Sequence, residues 1–173
     1  MRPHEYKLKK KPRTYIVTVS TSRYEKLKKG EEVDDPSGDL AEHLLRKEGI
    51  KEIKRILIKD DSSMIKKVIR DAQERGVNLI IFIGGTGVSQ DDVTIETIKP
   101  FFKKELTAFQ VLFTLYSMEE VGSRAISSRS TAGFIDDILV FALPGSKNAV
   151  ETALSRIILK EYEHLLYIAG ILE

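Results

Sequence analysis

The chain has 173 residues with a net charge of +2, of which 42% are hydrophobic and 31% charged, a composition typical of a folded rather than a disordered protein. Its length favours one domain, and no apolar run approaches the roughly 18 residues that a membrane-spanning helix needs. The absence of cysteine excludes disulfides, thiolate metal ligands and cysteine nucleophiles.

Positive charge is concentrated at the N-terminus, where residues 1–13 carry six Lys and Arg against one Glu. We predict a basic arm over residues 1–13 and a single domain over residues 14–173. Such arms can bind nucleic acid, which leaves a nucleic-acid-binding protein as an alternative, although the charge pattern favours a solvated arm. The arm lacks the apolar stretch of a signal peptide, so we expect a cytoplasmic protein. The lack of Cys and Trp, with many Lys, Glu and Ile, is typical of a thermophile.

The first part of the chain alternates between strand and loop or helix patterns. The β-branched run Tyr15–Ser20 predicts a buried strand. The polar stretch Thr21–Asp39 predicts a long loop, and Asp39 is expected to cap a helix that ends at Gly49. Lys51–Ile58 predicts the second strand.

The next segments continue this alternation. Ser62 is expected to cap a helix that ends at Gly76. Leu79–Ile83 is apolar throughout, as a central parallel strand is, and the loop Gly84–Thr94 follows it. The pattern of Phe101–Arg129 is mostly helical.

The last part of the chain reads as a hairpin and a helix. Gly133–Leu143 predicts the hairpin, and Pro144–Ser146 turns the chain into the helix.

The order of strands and helices along the chain predicts an α/β fold, a three-layer sandwich with helices on both faces of a mostly parallel sheet. Ligands of such sheets bind beyond the carboxyl ends of the strands. Four polar segments should meet there: Ser20-Thr21-Ser22, Asp60-Asp61, Gly84-Gly85-Thr86-Gly87 and Pro144-Gly145-Ser146.

The glycine-rich loop Gly84–Gly87 is the sharpest local signal. Glycines allow positive φ and let backbone N–H groups approach an anion, so this loop is either a phosphate cradle or a structural tight turn. It matches neither the dinucleotide fingerprint nor the Walker loop.

Two acidic pairs, Asp60-Asp61 and Asp91-Asp92, follow two of the strands. Carboxylates beside an anion cradle are explained by a bridging Mg²⁺, which favours nucleotide–Mg²⁺ chemistry over bare anion binding. Asp61 and Asp91 are expected to cap helices or face water instead. A third polar segment, Ser127–Thr131, combines hydroxyls with Arg129, which suits a second phosphate.

Taken together, four motifs resemble the MoaB/MogA family. Gly84–Gly87 followed after four residues by Asp92-Val93-Thr94 is similar to the family's GGTG-x4-DVT signature. Asp35–Gly38 is similar to its D-x-SG element, Ser128–Gly133 to its serine–arginine–x–x–alanine/valine–glycine stretch, and Leu143–Ser146 to its LPG-small element. The resemblance runs from about Tyr15 to Leu166.

The resemblance implies a Rossmann-like or flavodoxin-like sandwich that assembles as homotrimers or homohexamers, with a contact to the molybdenum-insertion protein. It implies molybdenum or tungsten cofactor biosynthesis by a molybdopterin adenylyltransferase: molybdopterin and Mg-ATP give adenylylated molybdopterin and pyrophosphate. The ligands it implies are molybdopterin, ATP and Mg²⁺, with no membrane or nucleic acid.

The resemblance also implies roles for individual residues. Asp60 and Asp92 would be catalytic and hold the metal. The nucleotide phosphates would contact Gly84, Gly85, Thr86, Gly87 and Thr94. The pterin or its phosphate would contact Ser20, Thr21, Ser22, Ser128, Arg129, Pro144, Gly145 and Ser146.

Two positions depart from the usual pattern of the family. Lys147 stands where many relatives have proline, and Thr21 where many have aspartate. Because either could alter the pterin pocket, a non-catalytic molybdopterin-binding or carrier protein of the same pathway is the alternative function.

Overall fold

Six strands form one sheet in the computed structural model, which describes residues 8–172 of the chain. The strands are β1 Thr14–Val19, β2 Ile53–Ile58, β3 Leu79–Ile83, β4 Lys104–Glu105, β5 Thr131–Ile135 and β6 Ile138–Leu143. Their order across the sheet is β2-β1-β3-β6-β5-β4. Strands β2, β1, β3 and β6 run parallel, whereas β5 is antiparallel to both of its neighbours.

Helices cover both faces of this sheet. They are α1 Thr21–Lys28, α2 Pro36–Lys47, α3 Ser62–Glu74, α4 Thr94–Ile98, α5 Thr107–Val121, α6 Lys147–Ala153 and α7 Leu159–Ile168. A π-helical turn, Leu154–Ile158, joins α6 to α7. Within residues 8–172, no helix is long and apolar enough to cross a membrane.

The buried strands explain why the fold has three layers. Side chains of a strand alternate between its two faces. In β3, Leu79, Ile81 and Ile83 belong to one core cluster, which also contains residues of α2, α5 and the C-terminal helices. Ile80 and Phe82 belong to the other cluster, together with residues of α3 and α4. Strand β3 can therefore be apolar throughout, because helices bury both of its faces.

The topology determines where a ligand can bind. From β1 the chain crosses to β2 on one side of the sheet and then returns to β3 on the other side of β1. This reversal opens a crevice at the carboxyl ends of β1 and β3, which is where open α/β sheets bind their ligands.

Two predictions about the first helices were wrong. Thr21–Asp39 is not a continuous loop, because its first part forms α1. This helix buries none of its side chains, so it has no apolar stripe for the sequence to reveal. The next helix, α2, begins at Pro36 and is capped by Asp35 rather than Asp39; the Asp35 side chain accepts a hydrogen bond from the Gly38 amide at 3.1 Å.

The helix and strand limits also differ elsewhere. Asp61, not Ser62, caps α3 by accepting a hydrogen bond from the Met64 amide. The predicted helical middle contains the two-residue strand β4, which is too short to give an alternating pattern.

The described part of the basic arm contacts the rest of the protein. Leu8 packs against the hydrophobic core, Lys11 pairs with Glu163, and Arg13 pairs with Glu52 at 2.8 Å. Some of the positive charge of the arm is thus neutralised within the fold rather than left for a polyanion. Residues 1–7, which hold the remainder of the predicted arm, lie outside the described residues.

Candidate functional site

Polar segments from four parts of the chain meet at the carboxyl edge of the sheet. The Ser20 amide donates to the Ile58 carbonyl at 2.8 Å, and the Gly84 amide donates to the Leu143 carbonyl at 2.9 Å. Across the end of the sheet, a Cβ built on Gly145 would lie 3.5 Å from the Gly84 Cα. The structure therefore brings together the segments that follow β1, β2, β3 and β6.

The glycine loop, Gly84–Gly87, has a backbone that side chains would not tolerate. Gly84 and Gly85 have φ values of +103° and +64°. A Cβ at Gly85 would lie 2.6 Å from Asp60 Oδ1 and closer still to Thr94 Oγ1. Glycine is needed here both for its positive φ and for the close approach of a carboxylate.

Three hydrogen bonds hold the carbonyls of the glycine loop. Thr94 donates from Oγ1 to the Gly84 carbonyl at 3.0 Å and from its amide to the Gly85 carbonyl at 2.9 Å. Arg129 Nε donates to the Thr86 carbonyl at 2.9 Å. Among residues 8–172, the amides of Gly85, Thr86 and Gly87 have no acceptor. Successive N–H groups without an acceptor form a concavity suited to an anion.

Asp60 and Asp92 lie against this same loop. Asp60 Oδ1 accepts a hydrogen bond from the Val93 amide at 3.2 Å, which joins the end of β2 to the residue after Asp92. Asp92 Oδ2 accepts one from the Ser89 amide at 2.9 Å and would lie 2.7 Å from a Cβ at Gly87. Two carboxylates thus flank a loop whose amides favour an anion.

The environment of Asp60 opposes its ionisation. Burial raises the pKa of Asp60, and the nearby negative charges of Asp92, Asp91 and Glu96 raise it further, while the hydrogen bond from the Val93 amide lowers it. A neighbouring cation would relieve both unfavourable effects.

The donor set at this site fits Mg²⁺. No group of three or more acidic, His or Cys side chains in residues 8–172 is arranged to hold a metal. Asp60 and Asp92 offer hard carboxylate oxygens beside an anion cradle, which is the way Mg²⁺ is usually held, with substrate phosphates and water completing its coordination.

Some predicted contact residues have other roles. Thr94 is fully buried and its hydroxyl donates to the Gly84 carbonyl, so it supports the glycine loop; its contact with the nucleotide stays a prediction. Thr86 is also buried, so its side chain offers little surface to a ligand. Thr21 uses its hydroxyl as the acceptor for the Asp60 amide at 3.1 Å. Asp91 is exposed, as expected.

The other predicted pterin-contacting residues lie at the edge of the site. Ser20 caps α1 and Ser146 caps α6, while Ser22, Gly145 and Ser146 are exposed and Pro144 and Ser128 are partly buried. Ser22 also lines a groove of about 380 Å³ between α1 and residues 32–34.

Two features of the site have no counterpart in the sequence prediction. Glu96 pairs with Arg129 at 2.7 Å, and an exposed glutamate on a short helix carries no signal of such a partner. Asp35, within the D-x-SG element, accepts hydrogen bonds from Thr18 Oγ1 at 2.6 Å and Arg55 Nη2 at 2.5 Å, while Ser37 Oγ donates to the Gly145 carbonyl at 2.8 Å. The aspartate-before-proline pattern could have identified Asp35 as a cap.

Comparisons with known proteins agree on one family. Residues 15–164 match the family described as "Probable molybdopterin binding domain". The chain is 45% identical over 152 residues to a "Probable molybdopterin adenylyltransferase" of Methanocaldococcus jannaschii, covering 87% of this chain and 90% of that protein. It is 35% identical over 164 residues to "Molybdenum cofactor biosynthesis protein B" of Staphylococcus aureus, covering 93% and 94%. The crystal structure of the tungsten cofactor synthesizing protein MoaB from Pyrococcus furiosus superposes with a TM-score of 0.81 at 38% identity, covering 92% of this chain and 98% of that one.

Replacing Gly85 by alanine should be far more damaging than the same change at Gly122. Both residues have similar positive φ, +64° and +60°, but a Cβ at Gly122 would meet nothing within 4 Å. Gly122→Ala should cost about 1–3 kcal/mol of backbone strain. Gly85→Ala adds a steric conflict with Asp60 and Thr94, so we expect it to lower the free energy of unfolding in urea by about 1–3 kcal/mol more than Gly122→Ala does. Equal decreases in the free energy of unfolding for the two variants would show that Gly85 is not closely packed against Asp60 and Thr94.

Adjacent aspartates should change stability in opposite directions. Because the folded pKa of Asp60 is raised, its ionisation destabilises the fold as pH rises through that pKa. Hydrogen bonds from Ser63 and the Met64 amide lower the pKa of Asp61, so its charge stabilises the fold above its unfolded pKa. At pH 7, Asp60→Asn should raise the free energy of unfolding and Asp61→Asn should lower it. The increase in the free energy of unfolding caused by Asp60→Asn should disappear near pH 3. A lower free energy of unfolding for Asp60→Asn at pH 7 would contradict the account.

Proposed function

Since the chain belongs to the MoaB/MogA family of molybdopterin-binding proteins, we propose that it is a molybdopterin adenylyltransferase of molybdenum or tungsten cofactor biosynthesis. The proposed reaction joins AMP from Mg-ATP to the terminal phosphate of molybdopterin and releases pyrophosphate. One observation carries the proposal: Asp60 and Asp92 flank a loop with three consecutive amides that have no acceptor among residues 8–172.

A loop with free amides and two flanking carboxylates suits adenylyl transfer better than either feature alone. Free amides at Gly85, Thr86 and Gly87 can bind phosphate oxygens, but two carboxylates next to them would repel a polyphosphate. A Mg²⁺ ion held by Asp60 and Asp92 would remove that repulsion and neutralise charge on the departing pyrophosphate.

In the proposed step, a phosphate oxygen of molybdopterin attacks the α-phosphorus of ATP. A new P–O bond forms to that oxygen, and the bond between the α-phosphorus and the pyrophosphate oxygen breaks. No covalent intermediate with the protein is needed, because positioning and charge stabilisation account for catalysis of this type. The loop amides would orient the polyphosphate. The loop would need little reorganisation on binding, because hydrogen bonds already fix its carbonyls.

The pterin substrate would occupy the remainder of the same edge. Ser20, Ser22 and Ser146 present hydroxyls there, next to the N-termini of α1 and α6. Such positions favour a phosphate group. The sequence departure at Thr21 is compatible with this arrangement, since its hydroxyl accepts the Asp60 amide and so fixes a proposed metal ligand.

We further propose that the protein assembles with copies of itself through α5. One face of α5 contributes Phe109, Phe113 and Ser117 to the interior. Its opposite side should be polar on a monomer, yet no charged residue occurs from Thr107 to Met118. The large apolar side chains exposed there are Val111, Leu112, Leu115, Met118 and Val121. Identical apolar faces would cover each other in a homotrimer or homohexamer.

Turnover should depend on Asp92 and not on its neighbour Asp91. Asp92 lies against the glycine loop, whereas Asp91 is exposed. With molybdopterin, ATP and Mg²⁺, we expect ATP-dependent pyrophosphate release that Asp92→Asn reduces by about 10²-fold or more, as loss of a charge-stabilising group does. Asp91→Asn should retain at least half of the rate. Absence of pyrophosphate release by the wild type would contradict the enzyme; if molybdopterin still bound tightly, the carrier function would replace it.

Light scattering should show an oligomer that depends on the α5 face. We expect three or six times the 19.6 kDa mass of the chain. Leu115→Glu would place a charge in the proposed interface and should give monomers. Leu27→Glu is the matched control, because Leu27 on α1 is exposed to a similar degree, 51% against 53% for Leu115. A monomeric wild type, or an oligomer unaffected by Leu115→Glu, would rule out this interface.

A further inference from the structure

The guanidinium of Arg129 is held by two contacts within the protein. Its Nε donates to the Thr86 carbonyl at 2.9 Å, and its Nη1 contacts Glu96 Oε1 at 2.7 Å. A guanidinium is planar, so fixing these two nitrogens fixes the orientation of the whole group. Arg129 therefore links the glycine loop to α4, the helix that begins at Thr94.

The bond to Thr86 determines what the glycine loop can bind. Each peptide plane relates one carbonyl to the amide of the next residue, so a fixed Thr86 carbonyl fixes the direction of the Gly87 amide. Thr94 does the same for the two preceding carbonyls. Arg129 supplies the third of these constraints, and it is the only one of the three that comes from outside the segment Gly84–Thr94.

The Arg129–Glu96 pair is stable to changes of pH around neutrality. The hydrogen bond between them lowers the pKa of Glu96 and raises the pKa of Arg129, so both side chains stay charged. Glu96 nevertheless adds a negative charge near a site proposed to bind polyphosphate. A carboxylate in that position is unfavourable unless its effect on Arg129 outweighs the repulsion.

We propose that Arg129 and Glu96 are positioning residues that orient the glycine loop for the nucleotide phosphates, rather than Arg129 being primarily a phosphate ligand. The inference rests on the proposed nucleotide site and assigns Glu96 a role in it. Glu96 orients the guanidinium, the guanidinium holds the Thr86 carbonyl, and the Gly87 amide is thereby directed to the anion. The pair should affect nucleotide binding, with little effect on pterin binding.

The direction in which Glu96→Gln changes the affinity for Mg-ATP distinguishes the two possible roles of Arg129, phosphate ligand and positioning residue. If Arg129 binds phosphate directly, removing its competitor and one negative charge should strengthen binding of Mg-ATP. If the pair positions the loop, the same variant should weaken binding about 5- to 10-fold, the range expected when a charge-assisted hydrogen bond is lost. Arg129→Lys keeps the charge but lacks the rigid fork, and it should weaken binding by at least as much.

The experiment is titration calorimetry with Mg-ATP and with inorganic pyrophosphate, using wild type, Glu96→Gln, Arg129→Lys and Asp91→Asn. Asp91→Asn is the control for charge, since it removes a nearby exposed carboxylate that does not contact Arg129, and it should leave affinity unchanged or strengthen it. Weaker binding by Glu96→Gln alongside this control supports the inference. Equal or tighter binding by Glu96→Gln overturns it, as does a wild type that binds neither probe.

Steady-state kinetics adds a readout that a purely structural role would not give. In Glu96→Gln we expect KM for ATP to rise about 5- to 10-fold while KM for molybdopterin and the midpoint of urea unfolding stay nearly unchanged. Equal increases in both KM values would contradict a role at the glycine loop. If the wild type binds Mg-ATP but releases no pyrophosphate, the proposed enzyme function fails, whereas calorimetry still decides the role of Glu96.

Discussion

The site depends on the hydrogen bonds that hold the carbonyls of the glycine loop. A peptide group offers a donor on one side and an acceptor on the other, so a loop can present several amides to an anion only if its carbonyls are satisfied elsewhere. Thr94 and Arg129 supply those partners for the carbonyls of Gly84, Gly85 and Thr86. Glycine at positions 84 and 85 is the other requirement, because the chain passes close to Val19 and Asp60 with positive φ.

The sheet places this loop where a second set of charges can reach it. Because β1 lies between β2 and β3, the residues after β2 and β3 lie near each other across the end of β1. Asp60 consequently contacts the Val93 amide, although the two are 33 positions apart in the chain. The resulting mixture of free amides and carboxylates, unfavourable for either ion alone, suits a polyphosphate and a divalent cation bound together.

The fold and much of the site could be predicted because their signals are local. The apolar run Leu79–Ile83 predicted a strand covered on both faces, and the residues after each strand predicted the edge where they meet. Helix α1 was missed because it buries nothing, and the support role of Thr94 was missed because a motif does not show which way a side chain points. The pair of Arg129 and Glu96 depends on two exposed positions brought together by the fold, which no spacing indicates.

A crystal structure with Mn²⁺ in place of Mg²⁺ and a non-hydrolysable ATP analogue would test the central claim most directly. Anomalous scattering locates the cation without ambiguity. The account predicts Mn²⁺ within about 2.3 Å of carboxylate oxygens of both Asp60 and Asp92, a distance usual for a hard divalent cation. It also predicts phosphate oxygens within hydrogen-bonding distance of the Gly85, Thr86 and Gly87 amides. A nucleotide bound at another surface, or a cation that neither aspartate contacts, would contradict it.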